Sequence, residues 1–126
     1  MVLSALAVAL GGGLGSLLRW ALGSRLNALF VPLPLGTLAA NLIAAYIIGI
    51  AIAFFTRMPG LSSEWRLFVI TGLLGGLSTF STFSAEVVTH LHNEEYAWAI
   101  IQILAHLAGS LIMTMLGLLT IAWFGR

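Results

Sequence analysis

A chain whose only charged side chains are five arginines and four glutamates, spread over 126 residues, cannot cover itself with water. A soluble domain carries roughly a quarter of its residues as Asp, Glu, Lys or Arg. Here the share is 7%, while 60% of the chain is hydrophobic. That scarcity excludes a soluble enzyme, a nucleic-acid binder and a disordered linker, and it makes the bilayer the solvent. The absence of lysine and a net charge of +1 leave no basic patch for phosphates or lipid headgroups. Without cysteine there is no disulfide framework, thiolate metal site or cysteine nucleophile. The start, Met1-Val2-Leu3-Ser4, lacks the basic segment of a cleavable leader, and its apolar stretch runs into glycine-rich sequence rather than a small-residue cleavage site.

A membrane-crossing helix needs about 20 apolar residues, within a range of roughly 17–25, and four stretches meet that need. The first runs from Val2 to about Leu22, with Arg19 inside its far end. Pro32 and Pro34 break the chain, and the second span is predicted from Leu35 to Phe55. Thr56-Arg57-Met58-Pro59-Gly60 reads as a turn, because proline and glycine together end a helix. Ser62 or Ser63 is expected to cap a third helix, with Glu64 in the first turn where the helix dipole favours a carboxylate. That helix crosses from about Leu67 to Val88. The polar run from His90 to Glu95 is the last loop, and Tyr96 to Phe124 is the fourth span. Residues 1–126 thus form a single all-α, four-helix domain with short loops.

With four spans, the N-terminus, the second loop and the C-terminus share one side of the membrane. That side carries Arg57, Arg66 and Arg126, and the other carries Arg25 and, depending on its depth, Arg19. The positive-inside rule needs a clear excess of basic residues on one side, and three against two is not one. Either other cues orient the chain or it inserts both ways. Two-way insertion would produce antiparallel homodimers with an isologous interface.

Polar side chains inside spans are costly and face protein or water. Here they are Arg19, Asn41, Glu86, Gln102 and His106. Gln102, His106, Ser110 and Thr114 recur every four residues, so they share one helical face. Each alone reads as glue between helices; together they suggest a water- or ion-lined path. On the second span Thr37, Asn41, Ala45 and Gly49 share a face, with Asn41 offering an amide NH2 as donor. Gly11 and Gly15, beside Gly12 and Ser16, read as close helix packing. Arg19 reads either as a side chain snorkelling to the headgroups or as an electrostatic lure for anions at a pore mouth. Glu86 either faces a wet vestibule or pairs with Arg19 of a neighbouring helix. His90, His92 and Glu94 are more simply solvated loop residues than metal ligands.

The third span holds the strongest signal, running Thr71-Gly72-Leu73-Leu74-Gly75-Gly76-Leu77-Ser78-Thr79-Phe80-Ser81-Thr82-Phe83-Ser84. Adjacent glycines are poor helix formers, and five hydroxyls follow within seven residues. Together they predict a helix that breaks near Gly75 to Ser78. Broken backbone at membrane depth must be buried in protein or line a cavity, and its freed carbonyls suit a cation. Phe80 and Phe83 are three apart and share a face. Their ring edges carry partial positive charge, so an anion can lie against them without meeting a fixed cation.

The stretch Gly75-Gly76-Leu77-Ser78-Thr79-Phe80-Ser81-Thr82-Phe83-Ser84 closely resembles the signature of the CrcB/Fluc fluoride channel family. Supporting matches span nearly the whole chain: Gly11-Gly12-Gly13 leading to Arg19-Trp20, Gly36-Thr37-Leu38 with Asn41-Leu42, and Gly109-Ser110 with Met113-Thr114. The resemblance implies an antiparallel, dual-topology homodimer of four-helix subunits with two fluoride pathways, in the inner membrane of a bacterial cell. It implies a central structural sodium ion held by main-chain carbonyls that map to Gly75 and Ser78. It maps the pore phenylalanines to Phe80 and Phe83, the pore asparagine to Asn41, and the hydroxyl track to Ser81, Thr82, Ser110 and Thr114. Family members often carry Thr where Ser78 stands, a change to which a backbone ligand is indifferent. His106 and Gln102 lie outside the motif.

The chemistry is consistent with that family. Fluoride is small and strongly hydrated, so hydroxyls, an amide NH2 and aromatic edges must replace its water without trapping it. Nothing in the chain suits a nucleotide or a carboxylate proton relay, which favours passive conduction over pumping. Two other readings are a dual-topology small multidrug exporter and a non-conducting scaffold subunit. The exporter needs an acid in the first span, which has none; the broken third helix argues against the scaffold.

Overall fold

The computed structural model describes residues 1–125, so Arg126 of the arginine balance lies outside the described residues. Its order is α1 (Val2–Leu26), a 3-10 turn (Asn27–Leu29), α2 (Leu35–Arg57), α3 (Ser63–Arg66), a π-helical segment (Leu67–Leu74), α4 (Gly75–Leu77), α5 (Phe80–His92) and α6 (Tyr96–Phe124). The pieces from Ser63 to His92 together make up one membrane-spanning rod, giving four rods long and apolar enough to cross a membrane. The protein is therefore an all-helical, multi-pass membrane protein.

The rods run longer than the sequence suggests. The first continues past Leu22 to Leu26 and the second past Phe55 to Arg57. His90 to His92, expected in the last loop, are the final turn of α5. The chain turns only at Asn93 to Glu95, with Glu94 in the left-handed region at φ 60°. The N-termini of α1, α2, α3 and α6 make no hydrogen bond to their own N-cap side chains. Ser62 occupies the N-cap position of α3, but its hydroxyl makes no cap bond. It is exposed there, where water serves the free N–H groups.

The start of α2 is held from outside the helix. Pro34 precedes it and has no capping side chain. Asn27 Oδ1 instead accepts from the backbone N–H groups of Gly36 at 2.7 Å and Thr37 at 3.1 Å. Removing such a cap costs about 1 kcal/mol. Asn27→Ala should lower unfolding stability in detergent by that amount, whereas Asn27→Asp, which keeps the acceptor, should retain most of it; equal stability of Asn27→Ala and the parent would show that the contact contributes nothing.

The packing is turned outward, as lipid requires. Leu3, Leu6, Leu10, Leu14 and Leu17 of α1 are exposed, while the faces between helices are small. Without a hydrophobic drive between helices in lipid, close van der Waals approach holds them together. The most extensive contacts join α2 to α6 and α1 to the π segment. At the α2–α6 crossing, a Cβ on Gly49 would strike the Thr114 carbonyl oxygen and stand 3.0 Å from Gly117 Cα. A Cβ on Gly15 would meet the Leu73 carbonyl and come within 2.8 Å of Leu77 N. The apolar core is correspondingly built of small residues, Ala40, Ala44 and Ala51, closed by Phe55, Leu74 and Leu77.

The third rod is irregular along half its length. In the π segment the turns widen, so that Gly75 N–H reaches back five residues to Ile70 O. After α4 the helical path is interrupted: Ser78 (φ −76°, ψ 152°) and Thr79 (φ −149°, ψ 111°) are extended. The interruption thus falls at the end of the expected Gly75–Ser78 interval rather than at the glycines, which stay helical. The hydroxyls explain the placement. Ser78 Oγ donates to Leu74 O at 2.8 Å, closing the outgoing helix. Thr79 Oγ1 accepts from Thr82 N at 3.2 Å, opening the next one as an N-cap.

Candidate functional site

In an uninterrupted helix each carbonyl accepts from the N–H four residues on. At the interruption these donors are reassigned. Leu74 O keeps Ser78 N–H at 3.0 Å. The donor due to Gly75 O is Thr79 N–H, which goes instead to Asn41 Oδ1 at 2.7 Å. Gly76 O receives Arg19 Nε at 2.9 Å. The donor due to Ser78 O is Thr82 N–H, claimed by the Thr79 hydroxyl. Thr79 O accepts from Asn41 Nδ2 at 3.1 Å. The sequence-predicted pair, Gly75 and Ser78, are the two whose helical donors are diverted to a side chain of another residue, and both are exposed on the subunit.

Beside the interruption lies a groove of about 560 Å³. Its walls include Asn41 from α2, Phe80 and Phe83 from α5, and His106, Ser110 and Thr114 from α6, with Gly75 and Ser78 along one edge. No arginine and no carboxylate is among its lining residues. Phe80 and Phe83 meet edge to face, with centroids 5.6 Å apart and planes at 65°. The two rings differ sharply in setting: Phe80 is 74% exposed and Phe83 6%. Phe83 also lies against the His106 imidazole, with centroids 4.5 Å apart.

The polar stripe of α6 does lie on one face but serves two ends. Ser110 and Thr114 line the groove, and the Thr114 hydroxyl donates to Ser110 O at 3.0 Å. Gln102 is fully buried away from the groove, and its Nε2 donates to Glu86 Oε1 at 2.7 Å. Thr37 Oγ1 donates to the other Glu86 oxygen at 2.7 Å. The considered ion pair between Arg19 and Glu86 does not form: hydrogen bonds from Thr37 and Gln102 satisfy the carboxylate, and Arg19 Nε turns to a backbone carbonyl.

Not all the predicted hydroxyls gather in the groove. Thr82 lines a second cavity of about 270 Å³ together with Arg19, Trp20, Ser24 and Thr37. Thr79 borders both cavities. Ser81 is exposed, its Oγ 3.4 Å from Thr79 Oγ1. Thr79 is therefore the hub that sequence reading passed over, since its hydroxyl caps α5 and its backbone N–H and C=O are both bonded by Asn41. A threonine immediately before a restarting helix, three residues ahead of Thr82, was the available signal. His90 is buried at the end of α5, its Nδ1 3.7 Å from Glu95 Oε1.

Comparison with known proteins places this architecture. The family model described as "CrcB-like protein, Camphor Resistance (CrcB)" matches residues 6–118. A protein of Nitrosomonas europaea named "Fluoride-specific ion channel FluC" is 64% identical over 119 residues, covering 94% of each chain. A Paraburkholderia phymatum protein of the same name is 63% identical, covering 97% of each chain. One of Paraburkholderia xenovorans is 60% identical over the full length of both. Matched by the family model across its helices and by full-length relatives at this identity, the chain belongs to the CrcB family.

Proposed function

We propose that the protein is a fluoride-selective ion channel through which cytoplasmic fluoride leaves passively. The observation that carries the reading is the groove beside the interrupted helix, lined by aromatic edges, hydroxyls and an amide with neither arginine nor carboxylate. Relatives at 55–64% identity bear the name fluoride-specific ion channel. A channel site must bind well enough to admit the ion and weakly enough to release it. A fixed cation would trap fluoride, and a carboxylate would repel it. Phe80 and Phe83 edges, with the Ser110 hydroxyl and a Thr114 hydroxyl that donates on leaving Ser110 O, meet both demands. Arg19, in the adjoining cavity with Thr82, attracts anions toward the mouth, while Ser81 extends the hydroxyl track. Hydrogen fluoride enters a cell as a neutral acid and ionises in the more alkaline cytoplasm, and the trapped anion exits through the channel. No chemical step is catalysed, so the protein is not an enzyme.

The working unit in this reading is an antiparallel homodimer in the bacterial inner membrane, with two pathways. Ser78, Ser81 and Thr71 are exposed on the isolated subunit, as is Phe80. Irregular backbone and hydroxyls do not face lipid, and a second copy covers them. The near balance of arginines permits both orientations. Interruption of the third rod near its middle then brings it to mid-membrane depth.

The same surface suits the sodium ion that the family resemblance implies. Gly75 and Ser78 supply hard main-chain oxygens with their helical donors diverted, and two subunits supply four such oxygens. Hard oxygen ligands favour a small hard cation, which would hold the two broken helices together without itself crossing. Replacing sodium thoroughly with a large organic cation should abolish fluoride flux from proteoliposomes; undiminished flux would remove the ion from the account.

Expression in a fluoride-hypersensitive bacterium tests the function. The protein should restore growth in fluoride and leave sensitivity to cationic dyes unchanged. Resistance to dyes without resistance to fluoride would point to a multidrug exporter instead.

A further inference from the structure

Asn41 occupies a position where a side-chain amide would be expected to offer its NH2 to an anion, yet both of its N–H donors are spent inside the protein. The backbone fixes which way the amide points. Thr79 N–H is a donor only, so the Asn41 atom 2.7 Å from it must be the oxygen. The amide nitrogen then carries one hydrogen to Thr79 O at 3.1 Å and the other to His106 Nδ1 at 2.9 Å. An amide nitrogen cannot accept, so Nδ1 must be the bare nitrogen of the ring and the proton must sit on Nε2. His106 is only 3% exposed, and its Nε2 is buried with no hydrogen-bond partner among the described residues. Buried donors are almost always paired, and one left over calls for an explanation. This one belongs to a residue that lines the groove, with the Phe83 ring packed against it.

We propose that Asn41 is a positioning residue, and that by clamping the Thr79 backbone N–H and C=O and donating to Nδ1 it holds His106 as the neutral tautomer whose Nε2–H is the hydrogen-bond donor kept for fluoride. The proposal rests on the reading of the groove as the anion path. It gives the α2 asparagine two tasks. It pins the interrupted helix by the two peptide groups that flank the Thr79 Cα, and it sets the direction of a donor on α6. An imidazole N–H suits this work better than an imidazolium, since it offers a hydrogen bond without a trapping charge.

The test is nitrogen-15 NMR of histidine-labelled protein in lipid nanodiscs, with the His106 signals identified by their loss in His106→Gln. The wild-type ring should be protonated at Nε2 and bare at Nδ1, and sodium fluoride should shift the Nε2–H resonance where sodium chloride does not. Asn41→Asp presents an acceptor to the ring, so the proton should move to Nδ1, the fluoride shift should vanish, and flux should fall about tenfold or more, the loss expected for one hydrogen bond to a charged group. A wild-type ring protonated at Nδ1, or an Asn41→Asp ring still protonated at Nε2, overturns the proposal even if Phe80 and Phe83 variants confirm the anion path. The predicted tautomer without any fluoride shift, together with full flux in those phenylalanine variants, overturns the anion path itself. The wild-type measurements stand alone if Asn41→Asp fails to fold.

Discussion

Phe80→Ile and Phe83→Ile should each leave a folded, assembled protein whose fluoride flux is reduced about two- to tenfold. The estimate follows from an aromatic-edge contact of roughly 0.5–1.5 kcal/mol lost together with the donor geometry around it. The two substitutions differ usefully. Phe80 is 74% exposed on the subunit, so isoleucine there removes little internal packing, and a loss of flux speaks directly to the path. Phe83 is buried with Val87 and Ala99 and touches His106. Isoleucine at Phe83 also costs about 1 kcal/mol of packing, which a parallel unfolding measurement accounts for. Size-exclusion profiles matching the parent would confirm that assembly survives. Full flux in both variants would assign the rings to packing and leave the groove without its anion-binding surface.

An equally large effect is expected from forcing one orientation. Arg57, Arg66 and Arg126 oppose Arg25 and Arg19, and each juxtamembrane charge contributes on the order of 1 kcal/mol to orientation. Combining Arg57→Ala with Arg126→Ala, or adding lysine to the loop around Pro32 and Pro34, should fix the chain one way by a compartment-sensing C-terminal reporter. Such a variant alone should lose fluoride resistance in cells. Co-expression with an oppositely biased variant, carrying added lysine near Pro59, should restore it. Arg57 Nη1 also donates to Ile121 O at 3.2 Å, so the lysine-insertion variant serves as the control that leaves this bond in place. A wild-type reporter found on one side only, or full resistance from a one-way variant, would rule out the antiparallel unit.

Much of this architecture was legible because the bilayer is a demanding solvent. Pro32, Pro34, Pro59 and Gly60 divide the apolar sequence into spans, and the rods begin and end within a few residues of them. The start of α2 fell where expected, but what holds it was not legible. Asn27 holds the start of α2 from across a loop, and no local pattern announces that. The interruption of the third rod was written in its composition, but its position was not. Gly75 and Gly76 are weak helix formers, yet they remain helical, with Gly76 O bonded by Arg19. The hydroxyls of Ser78 and Thr79, which compete with the ladder, set the actual site.

The four-residue spacing of the α6 stripe correctly placed Gln102, His106, Ser110 and Thr114 on one face. Which of them meets the groove depended on partners far away in sequence. Gln102 is drawn to Glu86, and His106 to Asn41 across 65 positions. Asn41 itself was legible as a polar residue inside a span. That its amide is committed to Thr79, 38 residues on, follows only from the packing of α2 against the interrupted helix.

The most direct test is fluoride efflux from liposomes reconstituted with purified protein in sodium-containing buffer and loaded with potassium fluoride, followed with a fluoride electrode. A passive, selective channel should release fluoride only when valinomycin lets potassium carry the compensating charge, without a proton gradient, and should pass no measurable chloride under the same conditions. Efflux without a counter-ion path, chloride efflux at a comparable rate, or no protein-dependent efflux would each contradict passive, fluoride-selective conduction.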